Sequence, residues 1–202
     1  MSKLIIFDLD GVLVDACEWH RVALNRALKE VCDYEISLED HYNIFNGIPT
    51  KVKLNKLSEM GIIPIEKHKD VYDRKQALTV EIIEKGASID KSKIEMIQTL
   101  KSKGFVVACY TNSIKKTAHL MLEKIGVKNL LDFILTNQDV TSPKPSPEGY
   151  LFLIEKFNFD IGDVIIVEDS PKGIEAAIAT GCCVKTVKDA TCVNINLFKE
   201  MV

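Results

Sequence analysis

The chain has 202 residues, a formal net charge of -3 and 47% hydrophobic residues, which are typical of one globular domain, with or without a small insert. It contains no basic block, so we expect no nucleic-acid binding through a broad phosphate-contacting surface. No apolar stretch approaches the roughly 20 residues that span a bilayer. We therefore expect a cytoplasmic protein with no nucleic-acid or membrane partner, either a monomer or a weak homodimer.

The cysteines and the N-terminus agree with that expectation. The chain begins directly in a predicted strand, with no signal-peptide pattern. None of the cysteines forms a Cys-x-x-Cys pair, and several lie in apolar runs. We expect them to be reduced, small buried residues rather than metal ligands. The six are Cys17, Cys32, Cys109, Cys182, Cys183 and Cys192.

The first predicted element is a strand over residues 4–7, followed by Asp8, Leu9, Asp10 and Gly11. If strand geometry continues, Asp8 and Asp10 point to the same side and Leu9 points back into the protein. Two adjacent carboxylates repel each other unless a cation binds between them or one stays protonated. A strand that ends in an Asp-rich turn is the alternative at this point.

Helical patterns follow, with no convincing strand between Asp15 and Ala87. The predicted helices cover residues 19–31, 52–60 and 65–85, and a further helix is predicted to start at residues 37–40. From residue 90 onward, helices alternate with strands. The predicted helices are 91–103, 115–125, 147–157 with Ser146 as N-cap, and one from Pro171 to Gly181. The predicted strands are 105–110, 133–135, 164–167 and 182–187, and the tail after Lys188 is expected to be a short helix. This alternation predicts an α/β fold with a mainly parallel sheet covered on both faces.

Three predicted strands end in polar clusters, at residues 8–10, 111–113 and 168–170. Parallel sheets bind ligands outside the carboxyl ends of their strands, so neighbouring strands would bring these clusters together. Taken singly, Ser113 and Ser170 could be helix N-caps, and Glu168 and Asp169 could lie in a solvated loop. Taken together, four acids would crowd one crevice, and a hard cation, most simply Mg²⁺, resolves the crowding. Prolines on both sides of Lys144 fix its loop, which allows the loop to direct one ammonium group.

Four segments, in this order, resemble the motifs of the haloacid dehalogenase superfamily. They are Asp8-Leu-Asp-Gly-Val-Leu-Val-Asp15, Thr111-Asn-Ser113, Lys144-Pro145 and Val167-Glu-Asp-Ser-Pro-Lys-Gly173. The helical insert is similar to the small cap of the beta-phosphoglucomutase and phosphoglycolate phosphatase branch. The resemblance implies a Rossmann-like core made of residues 1–15 and 86–202, with its first strand central, and an inserted all-helical cap of residues 16–85.

The resemblance also implies roles for individual residues. Asp8 is the expected nucleophile, and Asp10 is the expected acid and base. Thr111 is expected to hold a phosphate oxygen, and Lys144 is expected to offset the negative charge on Asp8 and the phosphoryl group. Mg²⁺ is the implied cofactor, with Asp8, Asp10, Glu168 and Asp169 as its ligands, Asp10 through its carbonyl. The further candidates for binding the substrate or its phosphate are Asn112, Ser113, His20, Thr50 and Lys51.

The function expected from this resemblance is Mg²⁺-dependent hydrolysis of a small phosphorylated metabolite through an aspartyl phosphate. A receiver-type signalling module would lack the Asp8–Asp10 pair and the helical insert. A metal-independent 2-haloacid dehalogenase would have no use for Asp10, Glu168 and Asp169 together. The closer alternative is a phosphosugar mutase, because His20 matches the His that this branch usually carries just inside the cap. Its usual cap-loop Arg is missing from Asn46-Gly-Ile-Pro-Thr-Lys51, however, and this favours a phosphatase.

Overall fold

The computed structural model of the chain describes residues 3–45 and 48–201, so Asn46 and Gly47 of the predicted cap loop lie outside the described residues. The chain divides into two compact units, one formed by Met1–Asp15 with Ser88–Val202 and the other by Ala16–Ala87. The last helix of the second unit continues to Gly86. The predicted division into a core of residues 1–15 and 86–202 and a cap of residues 16–85 stays a prediction.

The first unit contains a five-stranded parallel sheet with strand order β3-β2-β1-β4-β5. Its strands are β1 Leu4–Phe7, β2 Val106–Tyr110, β3 Phe133–Leu135, β4 Val164–Glu168 and β5 Cys183–Thr186. The predicted α/β class and the central first strand are therefore confirmed. Phe7 pairs with Cys109 on one side and Val167 on the other, so Asp8 and Glu168 lie at the same level of the sheet and Thr111 lies one residue further along.

All four residues of β1 are fully buried, as expected for a strand with both faces covered. Leu4 and Ile6 pack in one cluster with Tyr150 and Leu153, while the ring of Phe7 meets Phe198 edge-on with centroids 5.8 Å apart. The helices of this unit are α5 Lys91–Ser102, α6 Lys115–Lys124, α7 Glu148–Phe157 and α8 Pro171–Ile178. Short 3₁₀ turns lie at Lys128–Leu130, Ile161–Asp163, Ala190–Cys192 and Ile195–Phe198.

Two of the predicted helix starts differ from the structure. Pro147 is the N-cap of α7 and makes no side-chain cap, so the predicted cap at Ser146 is wrong. The Ser146 hydroxyl accepts the N–H of Glu148 at 3.3 Å, which closes a turn just before the helix. Ser170 does cap α8, accepting the N–H of Gly173, whereas the N-cap of α6 is Ile114 rather than Ser113.

The regular elements of the second unit are all helical, and no described residue between Asp15 and Ala87 lies in a named strand. Its elements are α1 Cys17–Cys32, α2 Leu38–Asp40, a π-helix His41–Phe45, α3 Thr50–Glu59, a 3₁₀ turn Ile65–Lys67 and α4 His68–Gly86. Leu24, Leu28, Leu57, Val71 and Leu78 are among the residues of its own hydrophobic core.

The cysteine prediction is only partly correct. All six cysteines are free, but Cys109 alone is buried, whereas Cys183 and Cys192 are exposed. Cys183 begins β5, which lies at the edge of the sheet, and Cys192 ends a short 3₁₀ turn. No helix within the described residues has the length and apolar character needed to cross a membrane.

Candidate active site

The polypeptide leaves β1 in a tight turn that separates its two acids. Asp8 is nearly buried and its N–H donates to the carbonyl of Val167, while Leu9 is fully buried and Asp10 is half-buried. The N–H groups of Leu13 and Val14 both donate to the carbonyl of Leu9. This local pairing ends the strand and leaves Asp8 and Asp10 on either side of a buried leucine.

Gly11 is required by the geometry of this turn. Its φ of +93° is a conformation that residues with a Cβ rarely adopt. A Cβ added there would also lie 2.1 Å from Oδ2 of Asp169. The absence of a side chain at Gly11 therefore lets the turn after β1 lie directly against Asp169, which follows β4.

A buried ammonium group joins the nucleophile candidate to the acid that ends β4. Nζ of Lys144 donates to Oδ1 of Asp8 at 2.6 Å, to Oε1 of Glu168 at 2.5 Å and to the carbonyl of Tyr110 at 2.9 Å. Burial alone would lower the pKa of Lys144, but the carboxylates of Asp8 and Glu168 raise it well above its ordinary value. Burial raises the pKa of Asp8, against the effect of Lys144, and the neighbouring acids raise it further. The structure thus brings together Asp8, Lys144 and Glu168 as predicted.

The segment after β2 holds Asp10 and the Lys144 loop. The hydroxyls of Thr111 and Ser113 both donate to Oδ2 of Asp10, at 3.1 and 2.8 Å. Asn112 instead pairs with the backbone of Lys144: its Oδ1 accepts the Lys144 N–H, and its Nδ2 donates to the Lys144 carbonyl, both at 3.1 Å. Phosphate binding by these three residues stays a prediction, while their observed contacts are to Asp10 and Lys144.

Asp8, Glu168 and Asp169 offer carboxylate oxygens that all lie within 4.8 Å of one another. Oδ1 of Asp169 is buried and has no hydrogen-bond partner among the described residues, which is costly unless a cation binds it. Burial, helped by the charges of Glu168 and Asp10, raises the pKa of Asp169 to about 7. An all-oxygen set with an unpartnered buried oxygen fits a hard divalent cation such as Mg²⁺. The side chain of Asp10 is outside this group, so a role for Asp10 in metal binding would fall to its carbonyl.

Glu168 differs from Asp169 in how fully it is paired. Its Oε1 accepts hydrogen bonds from Lys144 and from the hydroxyl of Tyr150, and its Oε2 accepts the N–H groups of Asp169 and Ser170. A carboxylate that already accepts this many hydrogen bonds is better placed to position its neighbours than to be the principal metal ligand. Tyr150 was not a candidate in the sequence, because its spacing in α7 is that of an ordinary core residue.

The candidates from the helical insert all lie in the second unit. Nδ1 of His20 on α1 is 3.2 Å from Nζ of Lys75, which is buried on α4. Thr50 is the first residue of α3. The neighbouring Lys51 is exposed, and its Nζ lies 5.8 Å from the centre of the Tyr72 ring. Substrate binding by His20, Thr50 and Lys51 stays a prediction.

Known proteins share both the sequence pattern and the fold. The profile of the family described as "Haloacid dehalogenase-like hydrolase" matches residues 5–187. A phosphoglycolate phosphatase of Haemophilus influenzae is 30% identical over 190 residues, which cover 90% of this chain and 84% of the relative. A phosphorylated carbohydrates phosphatase of Thermotoga maritima is 28% identical over 182 residues, covering 89% and 82%. The crystal structure of a beta-phosphoglucomutase from Clostridium difficile superposes with a TM-score of 0.82 at 21% identity, covering 99% and 96%. The extent of the profile match, which includes all four polar segments, means that the chain belongs to the haloacid dehalogenase-like hydrolases.

Proposed function

We propose that the chain is a Mg²⁺-dependent phosphatase that hydrolyses a small phosphorylated metabolite, such as a sugar phosphate, through an aspartyl phosphate on Asp8. The observation that carries the proposal is the buried contact between Asp8 and Lys144, beside acids that include the unpartnered oxygen of Asp169. Phosphoryl transfer depends mainly on positioning and on stabilising charge, and this arrangement offers both.

In the first step, a carboxylate oxygen of Asp8 attacks the phosphorus atom and the bond from phosphorus to the ester oxygen breaks. Lys144 holds Oδ1, which leaves Oδ2 as the attacking oxygen in this proposal. The departing alcohol oxygen takes a proton from Asp10, whose carboxyl group is oriented by the hydroxyls of Thr111 and Ser113. The ammonium of Lys144 stabilises the negative charge that develops on the phosphoryl group.

In the second step, water attacks the phosphorus of the aspartyl phosphate. Asp10, now a carboxylate, takes a proton from this water, and the bond from phosphorus to Asp8 breaks to release inorganic phosphate. Asp8 and Asp169, with Glu168 close by, are the side chains that would hold Mg²⁺. A bound Mg²⁺ would neutralise phosphate charge and reduce its repulsion from the carboxylates.

The named relatives support this class of substrate. The phosphatases of Haemophilus influenzae and Thermotoga maritima are named for phosphoglycolate and phosphorylated carbohydrates, both small phosphate esters. A phosphosugar mutase is the second candidate, because a beta-phosphoglucomutase is among the structural neighbours. The uncharged Thr50, in the cap-loop place where that branch usually carries an Arg, favours the phosphatase.

A substrate screen separates the two candidates. The purified protein is incubated with Mg²⁺ and a panel of phosphorylated acids and sugars, and released phosphate is measured before and after chelation with EDTA. We expect phosphate release that EDTA abolishes and Mg²⁺ restores. Full activity after exhaustive chelation would contradict the metal assignment. Conversion of a hexose 1-phosphate to its 6-phosphate with negligible phosphate release would identify a mutase.

A further inference from the structure

Two buried tyrosines flank the ammonium group of Lys144. Tyr110, the last residue of β2, and Tyr150, on α7, are both fully buried, and their ring centres lie 4.7 and 5.0 Å from Nζ of Lys144. The two rings meet edge to face at an interplanar angle of 87°, with centroids 4.9 Å apart. Aromatic faces at these distances attract a cation, and the attraction is stronger in a desolvated site.

The hydroxyl groups of the two tyrosines differ. The Tyr150 hydroxyl donates to Oε1 of Glu168 at 2.7 Å. The Tyr110 hydroxyl is buried without a hydrogen-bond partner among the described residues, and the nearby N–H of Lys144 donates to Asn112 instead. The pair is therefore a natural comparison, because both rings flank Lys144 and only the Tyr150 hydroxyl donates to a carboxylate of the charged network.

The Tyr150 hydroxyl shares its acceptor with Lys144. Oε1 of Glu168 receives both groups, while the same ammonium also donates to Oδ1 of Asp8. Two carboxylates thus compete for one cation. A second donor on Glu168 satisfies part of the hydrogen-bonding demand of that carboxylate, and so leaves the ammonium on Asp8. Without the Tyr150 hydroxyl, Glu168 would attract the ammonium of Lys144 more strongly, and the distance from Nζ of Lys144 to Oδ1 of Asp8 would increase.

The start of α7, which carries Tyr150, packs against both β2 and the segment that leads to Lys144. A Cβ added at Gly149 would lie 2.2 Å from the Tyr110 ring, so the backbone at the start of α7 packs directly on that ring. The carboxylate of Glu148 accepts the N–H groups of Thr141 and Ser142, both at 2.7 Å, which fastens the segment before Lys144 to the same helix.

We propose that Tyr150 is a positioning residue: its hydroxyl fixes Glu168, so that the ammonium of Lys144 stays on Asp8 where the phosphoryl group is transferred. The proposal rests on the roles proposed above for Asp8 and Lys144. Because Tyr150 acts through Glu168 and Lys144, its hydroxyl matters for the chemical step rather than for substrate binding. Removing it should lower kcat and leave KM unchanged.

The test compares Tyr150→Phe with the matched control Tyr110→Phe, using p-nitrophenyl phosphate and Mg²⁺. We expect kcat to fall about 10- to 100-fold in Tyr150→Phe, the loss typical of a hydrogen bond to a charged group, with KM unchanged. Tyr110→Phe keeps its ring and its carbonyl contact with Lys144 and removes no hydrogen bond to Glu168, so its kcat should fall much less than that of Tyr150→Phe. The loss caused by Tyr150→Phe should also disappear in a Glu168→Gln background, which a purely structural role of the ring would not produce.

A second readout needs no turnover. The ¹⁵N signal of the Lys144 ammonium, assigned with Lys144→Met, should shift clearly more in Tyr150→Phe than in Tyr110→Phe. If the wild-type protein shows no phosphatase activity but Tyr150→Phe still shifts the Lys144 signal, the proposed function fails and the positioning role is supported. An unchanged signal, equal kcat in both variants, or loss of cooperative unfolding in Tyr150→Phe alone would overturn the proposal.

Discussion

Gly173 provides a sharp test of the packing beneath Glu168. It is buried in the first turns of α8, and a Cβ added there would lie 1.9 Å from Oε1 and 2.1 Å from Cδ of Glu168. Glu168 cannot move aside freely, because Lys144 and Tyr150 hold one of its oxygens and backbone N–H groups hold the other. Gly173→Ala must therefore displace either the helix or the Glu168 carboxylate.

The size of the effect follows from three contributions. In an exposed helix, replacing Gly by Ala stabilises by about 0.5–1 kcal/mol. Forcing a methyl group into a packed site costs about 1–3 kcal/mol. Losing a buried hydrogen bond to a charged group costs a further ~1.5–3 kcal/mol. We expect Gly173→Ala to lower the free energy of unfolding by about 2–5 kcal/mol, and to lower kcat because the Lys144 contact depends on Glu168.

Urea unfolding followed by circular dichroism measures the stability change, with kinetics on p-nitrophenyl phosphate alongside. The matched control is Gly162→Ala, because a Cβ at Gly162 has no atom within 4 Å. The control should change the free energy of unfolding by no more than about 0.5 kcal/mol. Equal urea midpoints for the two variants, together with a normal kcat in Gly173→Ala, would refute the tight contact between Gly173 and Glu168.

Two pH-dependent predictions follow from raised and lowered pKa values. Burial, followed by the charge of Glu168, raises the pKa of Asp169 to about 7, so protons should compete with the metal for this carboxylate. Calorimetry should therefore show weaker Mg²⁺ binding at about pH 6 than at about pH 8, and equal affinities at the two pH values would contradict this. Burial, then Lys53, lowers the pKa of His41 to about 4, below its unfolded value of about 6.5. Protonation therefore favours the unfolded state, and the stability present above pH ~6.5 should be lost towards pH ~4 by roughly 1.4 kcal/mol per unit relative to His41→Asn. Parallel urea midpoints for wild type and His41→Asn over this range would contradict the burial of a neutral His41.

Much of the core was predictable because its signals are local or follow from sheet geometry. An apolar run followed by Asp8 and Asp10 marks the end of a strand, and parallel strands place their carboxyl ends at one edge. The pairing of Phe7 with Val167 agrees with that expectation, because it places Glu168 level with Asp8 and Asp169 one residue beyond.

Other features depend on side-chain directions that spacing does not determine. Asn112 lies in a polar motif, yet its side chain pairs with the Lys144 backbone. Its amide oxygen accepts the Lys144 N–H and its amide nitrogen donates to the Lys144 carbonyl. Tyr150 has the spacing of a core residue in α7, and only its contact with Glu168 distinguishes it. The predicted N-cap at Ser146 is wrong because the helix begins one residue later, with Pro147 as its N-cap, and spacing alone does not distinguish the two starts.

The central claim is that Asp8 becomes phosphorylated, and Asp10→Asn tests it most directly. This variant keeps Asp8, the proposed nucleophile, but lacks Asp10, the group proposed to protonate the leaving oxygen and then to activate water. Acetyl phosphate has a good leaving group and should still phosphorylate Asp8 in the presence of Mg²⁺, after which the aspartyl phosphate should persist. Mass spectrometry should then find one phosphoryl group on the peptide that contains Asp8, and none in Asp8→Asn. A phosphoryl group on another peptide, or substantial phosphatase activity in Asp8→Asn, would contradict the assignment of the nucleophile.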